Sequence, residues 1–254
     1  MASRRDPDGL RAPVFVVGCW RSGTTFLARA LGQHPGIAHF PNETGVLRGF
    51  FRWLEDGVQA STEQKAAIGH RFVSGWLEAY RRTTGKPRVL EKTPPNVHVM
   101  NWVLACFPDV QFLHIVRDPR AVVSSMQEAR EARLGRATVE QGARFWNTLV
   151  GTAIRKGRRM PPGRYFQVRY EDLLADPSST FGSVLEFLGE PAEPLLDLVE
   201  KETDRSRAER WRDLLPERDV RLVEQVCAEL MTELGYEPSR PAAVGSVEGD
   251  GRRD

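Results

Sequence analysis

The feature that most constrains this chain is a repeated pairing of a short β-branched or aromatic run with a helical pattern directly behind it. Val14 to Val17 is such a run, followed by a turn from Gly18 to Gly23 and an apolar helical pattern through Phe26, Leu27 and Leu31. The pairing returns at Pro87 to Leu90 before a helix near Asn96 to Phe107, at Val110 to Val116 before a helix from Asp118, and at Tyr165 to Val168 before a helical stretch near Ser178. Short buried strands separated by helices are βαβ units, and right-handed crossovers stack them into a mostly parallel sheet. The expected fold class is therefore α/β, with helices on both faces. Ser61 to Thr84 and Ala137 to Met160 read as long amphipathic helices.

At 254 residues the chain can bury one large core, and we expect a single domain over 13–238. The Gly-, Pro- and Arg-rich ends, 1–12 and 239–254, are expected to be disordered tails outside that core. Thirty-six Lys and Arg against thirty-four Asp and Glu leave a net charge of only +2, so no global field favours nucleic acid and any anion site must be local. The basic run from Arg155 to Arg169 reads as a solvated face. Cys19, Cys106 and Cys227 are far apart and lack metal-ligand spacing, which predicts reduced, unpaired thiols and no metal. With no long apolar run, a cytoplasmic protein without a membrane anchor is expected. The oligomeric state is left open, a homodimer included.

The turn Gly18-Cys-Trp-Arg-Ser-Gly-Thr-Thr25 lies between a strand and a helix, where backbone N–H groups and the helix dipole cradle anions. It keeps the G-x-x-x-x-G frame of an NTP-binding P-loop, but Thr24 stands where a kinase or NTPase needs its lysine. A cation sits inside the loop instead, at Arg21, followed by Ser22, Gly23, Thr24 and Thr25. This strand, basic residue and S-G-T-T run resembles the 5′-phosphosulfate loop of sulfotransferases that use 3′-phosphoadenosine 5′-phosphosulfate (PAPS). The resemblance implies a P-loop-like fold in which Arg21, the loop amides and the two threonine hydroxyls hold the phosphosulfate. Arginine rather than lysine at this position is similar to the bacterial and Golgi-like branch.

Two further segments extend the resemblance in family order. Phe112-Leu-His-Ile-Val-Arg117 is an apolar strand ending in an arginine, and Asp118-Pro119 then starts a helix that carries Ser125. The family holds the 3′-phosphate with an arginine and a serine at this spacing, which implies that role for Arg117 and Ser125; Asp118 reads as the helix cap. Tyr170-Glu-Asp172 resembles the family's Y-E-D segment, whose tyrosine lies against adenine, with ordinary core as the other reading of Tyr170. Arg207 to Arg212 resembles a late segment closing over the nucleotide, which suggests Arg210, although the family's glycine pattern is missing and a surface helix with Trp211 tucked inward reads equally well.

Sulfuryl transfer needs alignment, a base for the acceptor's proton, and stabilised charge on the departing phosphate. The family's histidine base in a K-T-H segment has no counterpart here, because Lys92-Thr93 is followed by Pro94. Glu43, in Phe40-Pro-Asn-Glu-Thr44, matches a glutamate of the Golgi-like and bacterial branch and is the expected base, while Lys92 is expected in the cleft between donor and acceptor. Glu43 in the first turn of a helix is the alternative reading of that charge, and His39 and His98 are weaker base candidates. Phe40, Phe50, Phe51 and Trp53 behind Glu43, with Trp20 in the loop, suggest an aromatic wall for a small-molecule acceptor, such as a phenol, lipid or sugar-bearing metabolite, accepting at a hydroxyl or amine. At helical spacing the same aromatics also read as core. The rivals are a P-loop small-molecule or nucleotide kinase and a non-catalytic nucleotide-binding module; the missing loop lysine opposes the first, and Glu43 with Lys92 the second.

Overall fold

The computed structural model describes residues 11–128, 137–202 and 204–239. Strands β1 (Val14–Gly18), β2 (Ile37–His39), β3 (Arg88–Lys92), β4 (Gln111–Val116) and β5 (Tyr165–Arg169) form one sheet in the order β2-β3-β1-β4-β5. Every pairing is parallel, with Val14 opposite Leu90 on one side and Gln111 on the other. The helices are α1 (Thr24–Gln33), α2 (Val46–Gly57), α3 (Thr62–Thr84), α4 (Met100–Cys106), α5 (Pro119–Glu128), α6 (Val139–Gly157), α7 (Tyr170–Ala175), α8 (Pro177–Leu188), α9 (Glu193–Glu202), α10 (Trp211–Leu214) and α11 (Glu217–Glu233). The expected α/β class holds.

Successive side chains of a strand face opposite sides of a sheet, so a strand apolar on every residue can feed two cores. β1 does so: Phe15 and Val17 join a cluster with Phe51, Val103 and Trp146 from α2, α4 and α6, whereas Val14 and Val16 join Leu27, Leu31, Phe181 and Leu185 from α1 and α8. Helix ends follow local sequence. Reciprocal capping boxes open α3 (Ser61 with Gln64) and α6 (Thr138 with Gln141), and left-handed glycines, Gly85 and Gly189, close α3 and α8.

Three expectations shift. β3 runs to Lys92, two residues beyond the expected strand, which brings Glu91 and Lys92 into the sheet. The single helix expected near Asn96 divides into a 3₁₀ turn, Pro94–Val99, followed by α4, because consecutive prolines supply no N–H for an α-helical ladder. The run from Arg155 to Arg169 is solvated only in part: Lys156 donates to the Val97 and His98 carbonyls, Arg164 to that of Asp109, and Arg169 to that of Leu234. The expected tails lie outside the described residues except for Arg11, Ala12 and Ser239, of which the Ala12 carbonyl accepts from Arg88 and Ser239 bonds Arg120 and Glu224.

At the N-terminal ends of the strands, Arg88 is 2% exposed. It donates to the carbonyls of Ala12 (2.7 Å) and Leu188 (2.6 Å), to Gln111, and to Glu190 at 3.3 Å. Burial pulls its pKa down to about 10, and Glu190 opposes that shift. Removing one partner of a buried pair strands the other, and Arg88→Ala is expected to cost about 3–5 kcal/mol in urea unfolding while leaving ligand affinity at the opposite end of the sheet unchanged.

Candidate active site

Gly18, Lys92, Val116 and Arg169 end four of the parallel strands at one edge, where open α/β sheets place their ligand crevice. A cavity of about 990 Å³ lies there. Its wall includes Trp20 to Phe26 of the first loop and helix (all but Ser22), Arg117, Ser124 and Ser125 from the end of β4 and α5, Glu43, and Tyr170 at the start of α7.

The loop after β1 is shaped by close approaches. A Cβ at Gly18 would lie 2.6 Å from the Ile115 carbonyl oxygen, and one at Gly23 would lie 2.3 Å from the Tyr170 ring; only glycine lets the loop pass so near its neighbours. Gly23 has φ 92° and Arg21 φ 67°, so the loop turns through two left-handed residues. α1 then begins with no side-chain cap and no acidic residue in its first turn. Its free N–H groups and positive dipole end are left for an anion. Ser22 is buried with its hydroxyl oxygen unpartnered, while Thr24 and Thr25 line the cavity.

Arg117 joins three pieces of chain. Its Nη1 donates to the Arg21 carbonyl at 3.1 Å, its Nη2 to the Arg207 carbonyl at 2.9 Å, and its guanidinium lies 4.4 Å from the Tyr170 ring centroid. Its Nε is buried without an acceptor, and burial pulls its pKa below the usual arginine value. The strand end that carries it is fixed by Trp146 Nε1, which donates to the Arg117 carbonyl at 2.9 Å, and by Glu171, which accepts from the Asp118 amide at 2.9 Å. Asp118 caps α5, accepting the Arg120 amide at 2.8 Å. Arg21 and Ser125 are brought into direct contact, Nε to Oγ at 3.0 Å, so the loop after β1 and α5 meet across the cavity.

Glu43 lines the cavity, and Lys92 Nζ donates to its Oε1 at 3.2 Å. Lys92 itself is 5% exposed and stands behind Glu43 rather than in the open cleft; a buried ammonium needs a carboxylate, and among the described residues Glu43 pairs with it. Of the two histidines, His39 lines this cavity and His98 lines a separate groove beside α2. The expected aromatic wall is corrected: only Trp20 lines the cavity. The α-helical period of α2 turns Phe51 into the core and stacks Phe50 on Phe72 at 4.0 Å, Phe40 stacks on Tyr80 at 3.9 Å, and Trp53 is exposed. Arg210 lines the cavity and pairs with Glu128 at 2.9 Å, while Trp211 is tucked inward beneath Arg120, 4.4 Å from its guanidinium carbon. Sequence reasoning missed Phe26, which follows Thr25 and lines the cavity, and Arg29, which also lines it; the i+4 spacing of Arg29 from Thr25 was the available signal for that residue.

Comparison with known proteins agrees with this geometry. The sulfotransferase family model matches residues 13–194. A protein-tyrosine sulfotransferase of Drosophila melanogaster is 24% identical across 89% of this chain and 52% of its own length, so the chain spans about half of that relative. The nodulation protein NoeE of Sinorhizobium fredii is 26% identical across 92% of this chain and 68% of its own. Among solved structures, the sulfotransferase domain from the curacin biosynthetic pathway superposes with TM-score 0.62 at 19% identity, covering 91% of this chain and 99% of that domain. A mouse sulfotransferase complexed with PAP superposes with TM-score 0.53 at 16% identity, covering 90% and 88%. The uncapped loop, the Arg117 strand end and a family match over residues 13–194 lead to one conclusion: the chain belongs to the sulfotransferase family.

Proposed function

We propose that the chain transfers the sulfuryl group of PAPS to a hydroxyl of an acceptor, releasing adenosine 3′,5′-bisphosphate. The observation that carries the donor assignment is the pairing of an uncapped α1 N-terminus with Arg117, a half-buried cation whose Nε has no acceptor. Two anion sites at neighbouring strand ends fit a ligand with phosphates on both its 5′ and 3′ positions, which ATP lacks. Ser22, Gly23, Thr24 and Thr25 would hold the 5′-phosphosulfate through backbone N–H groups and hydroxyls, with Arg21 beside it. Arg117 and Ser125 would take the 3′-phosphate. Phe26 and Tyr170 offer rings to the adenine, and Arg210, on the cavity rim, is the outermost donor.

In the chemical step Glu43 takes the proton as the acceptor oxygen forms its bond to sulfur, and the bond from sulfur to the bridging phosphate oxygen breaks. Arg21 and the loop amides hold the negative charge that collects on the departing phosphate. Lys92 holds the Glu43 carboxylate in place for that task. A sulfuryl group carries less charge than a terminal phosphoryl group, so arginines suffice where a kinase uses magnesium. The acceptor is a hydroxyl compound, since tyrosine and carbohydrate sulfotransferases are among the relatives; we favour a small molecule, entering past Glu43 and Trp20. Among the described residues no helix is long and apolar enough to cross a membrane.

In calorimetric titrations without metal, adenosine 3′,5′-bisphosphate is expected to bind more tightly than ADP, and Arg117→Ala to lose that preference; a preference for ADP would revive the kinase. Glu43→Gln is expected to lower kcat by about 10² to 10⁴, the usual contribution of a positioned base, with bisphosphate affinity retained. Turnover in excess EDTA should equal turnover in magnesium.

A further inference from the structure

Glu91 is a carboxylate with no exposed surface, one residue from Lys92, and the mechanism above does not use it. Its hydrogen-bond donors are neutral. Oε1 accepts from the Thr44 hydroxyl at 2.8 Å and the Thr93 hydroxyl at 2.5 Å, and Oε2 accepts from Asn96 Nδ2 at 2.8 Å. Each donor sits beside a part of the site: Thr44 follows Glu43, Thr93 follows Lys92, and Asn96 lies on the 3₁₀ turn whose Pro94 lines the cavity. Burial pushes the carboxyl above its usual range, the three hydrogen bonds and nearby Lys92 opposing that shift. A desolvated carboxylate held only by neutral donors is an expensive way to stabilise a fold.

The direction of the bonds explains what it does. Thr93 Oγ1 also accepts from the Thr44 amide at 3.2 Å and the Gly45 amide at 3.5 Å. A hydroxyl has one proton, and giving it to Glu91 leaves only lone pairs to face those amides. Glu91 accepts at both oxygens and so polarises Thr93 to grip the backbone on the C-terminal side of Glu43. Without that grip the segment has little to fix it: a Cβ at Gly45 would meet nothing within 4 Å, and α2 starts with no side-chain cap.

We propose that Glu91 is a positioning residue for sulfuryl transfer, holding the 43–45 segment through Thr44 and Thr93 so that the Glu43 carboxylate meets Lys92 and the acceptor. This rests on Glu43 being the base, and the experiment separates the two claims. Amide hydrogen exchange of the full chain is followed at Thr44 and Gly45, alongside bisphosphate affinity and turnover of PAPS with 4-nitrophenol, or with water as acceptor, read as released adenosine 3′,5′-bisphosphate. Glu91→Ala is expected to release protection at Thr44 and Gly45 only, to lower kcat by about 10²-fold as a displaced catalytic group does, and to leave bisphosphate affinity unchanged. Glu91→Gln keeps a carbonyl toward the two hydroxyls and recovers most of that kcat once Asn96 turns its amide over. Thr44→Val, on a less buried segment, keeps the test alive should Glu91→Ala not fold, with a smaller loss in the same direction. Unchanged exchange at both amides, with Glu43→Gln still defective, would overturn the positioning role alone. Loosened amides with undiminished kcat would overturn it too, and an undamaged Glu43→Gln would remove the base as well.

Discussion

The Arg117 guanidinium is the interaction on which one wall of the cavity depends. It directly follows β4, lies over Tyr170, and donates to the backbone of both the β1 loop and the 205–207 turn, so three segments distant in sequence share one cation. The surrounding residues hold that cation still. Trp146 takes up the carbonyl of Arg117, and Glu171 takes up the next amide while accepting from the Tyr236 hydroxyl at 2.9 Å. The Tyr-Glu-Asp segment therefore contributes twice: its tyrosine supports the guanidinium, and its glutamate fixes the backbone behind it. Gly23 is bound to the same arrangement, because the Tyr170 ring fills the space a side chain would need.

Charge is distributed by place rather than by total. With a net charge of only +2 the chain has no long-range pull on anions, and the positive potential comes from an uncapped helix end and the arginines around one cavity. The opposite end of the sheet carries its own buried cation, Arg88, satisfied by carbonyls and Glu190. One arginine is closed by its partners; the other keeps a buried nitrogen without an acceptor beside the cavity.

Much of this was legible in the sequence, and the limits have physical causes. The loop from Gly18 to Thr25, the strand ending at Arg117 and the Tyr170 segment are local patterns whose strand–turn–helix context is written in adjacent residues, and the structure gathers Arg21, Thr24, Thr25, Arg117, Ser125 and Tyr170 around one cavity. β2 escaped the strand pattern because it has three residues and is set by pairing to β3 rather than by its own sequence. The aromatics behind Glu43 misled as a wall because their helical spacing also describes a core face, and in α2 the core took Phe51. The Glu91 network was invisible because its donors converge only when the segment after β2 and the end of β3 are adjacent in space.

The most direct test of the account is a crystal structure of the protein with adenosine 3′,5′-bisphosphate. The account predicts the 5′-phosphate on the amides from Ser22 to Thr25 and the 3′-phosphate between Arg117 and Ser125, with the contact between Arg21 and Ser125 opened to admit it. A nucleotide bound with its 3′-phosphate in solvent, away from Arg117, would contradict it.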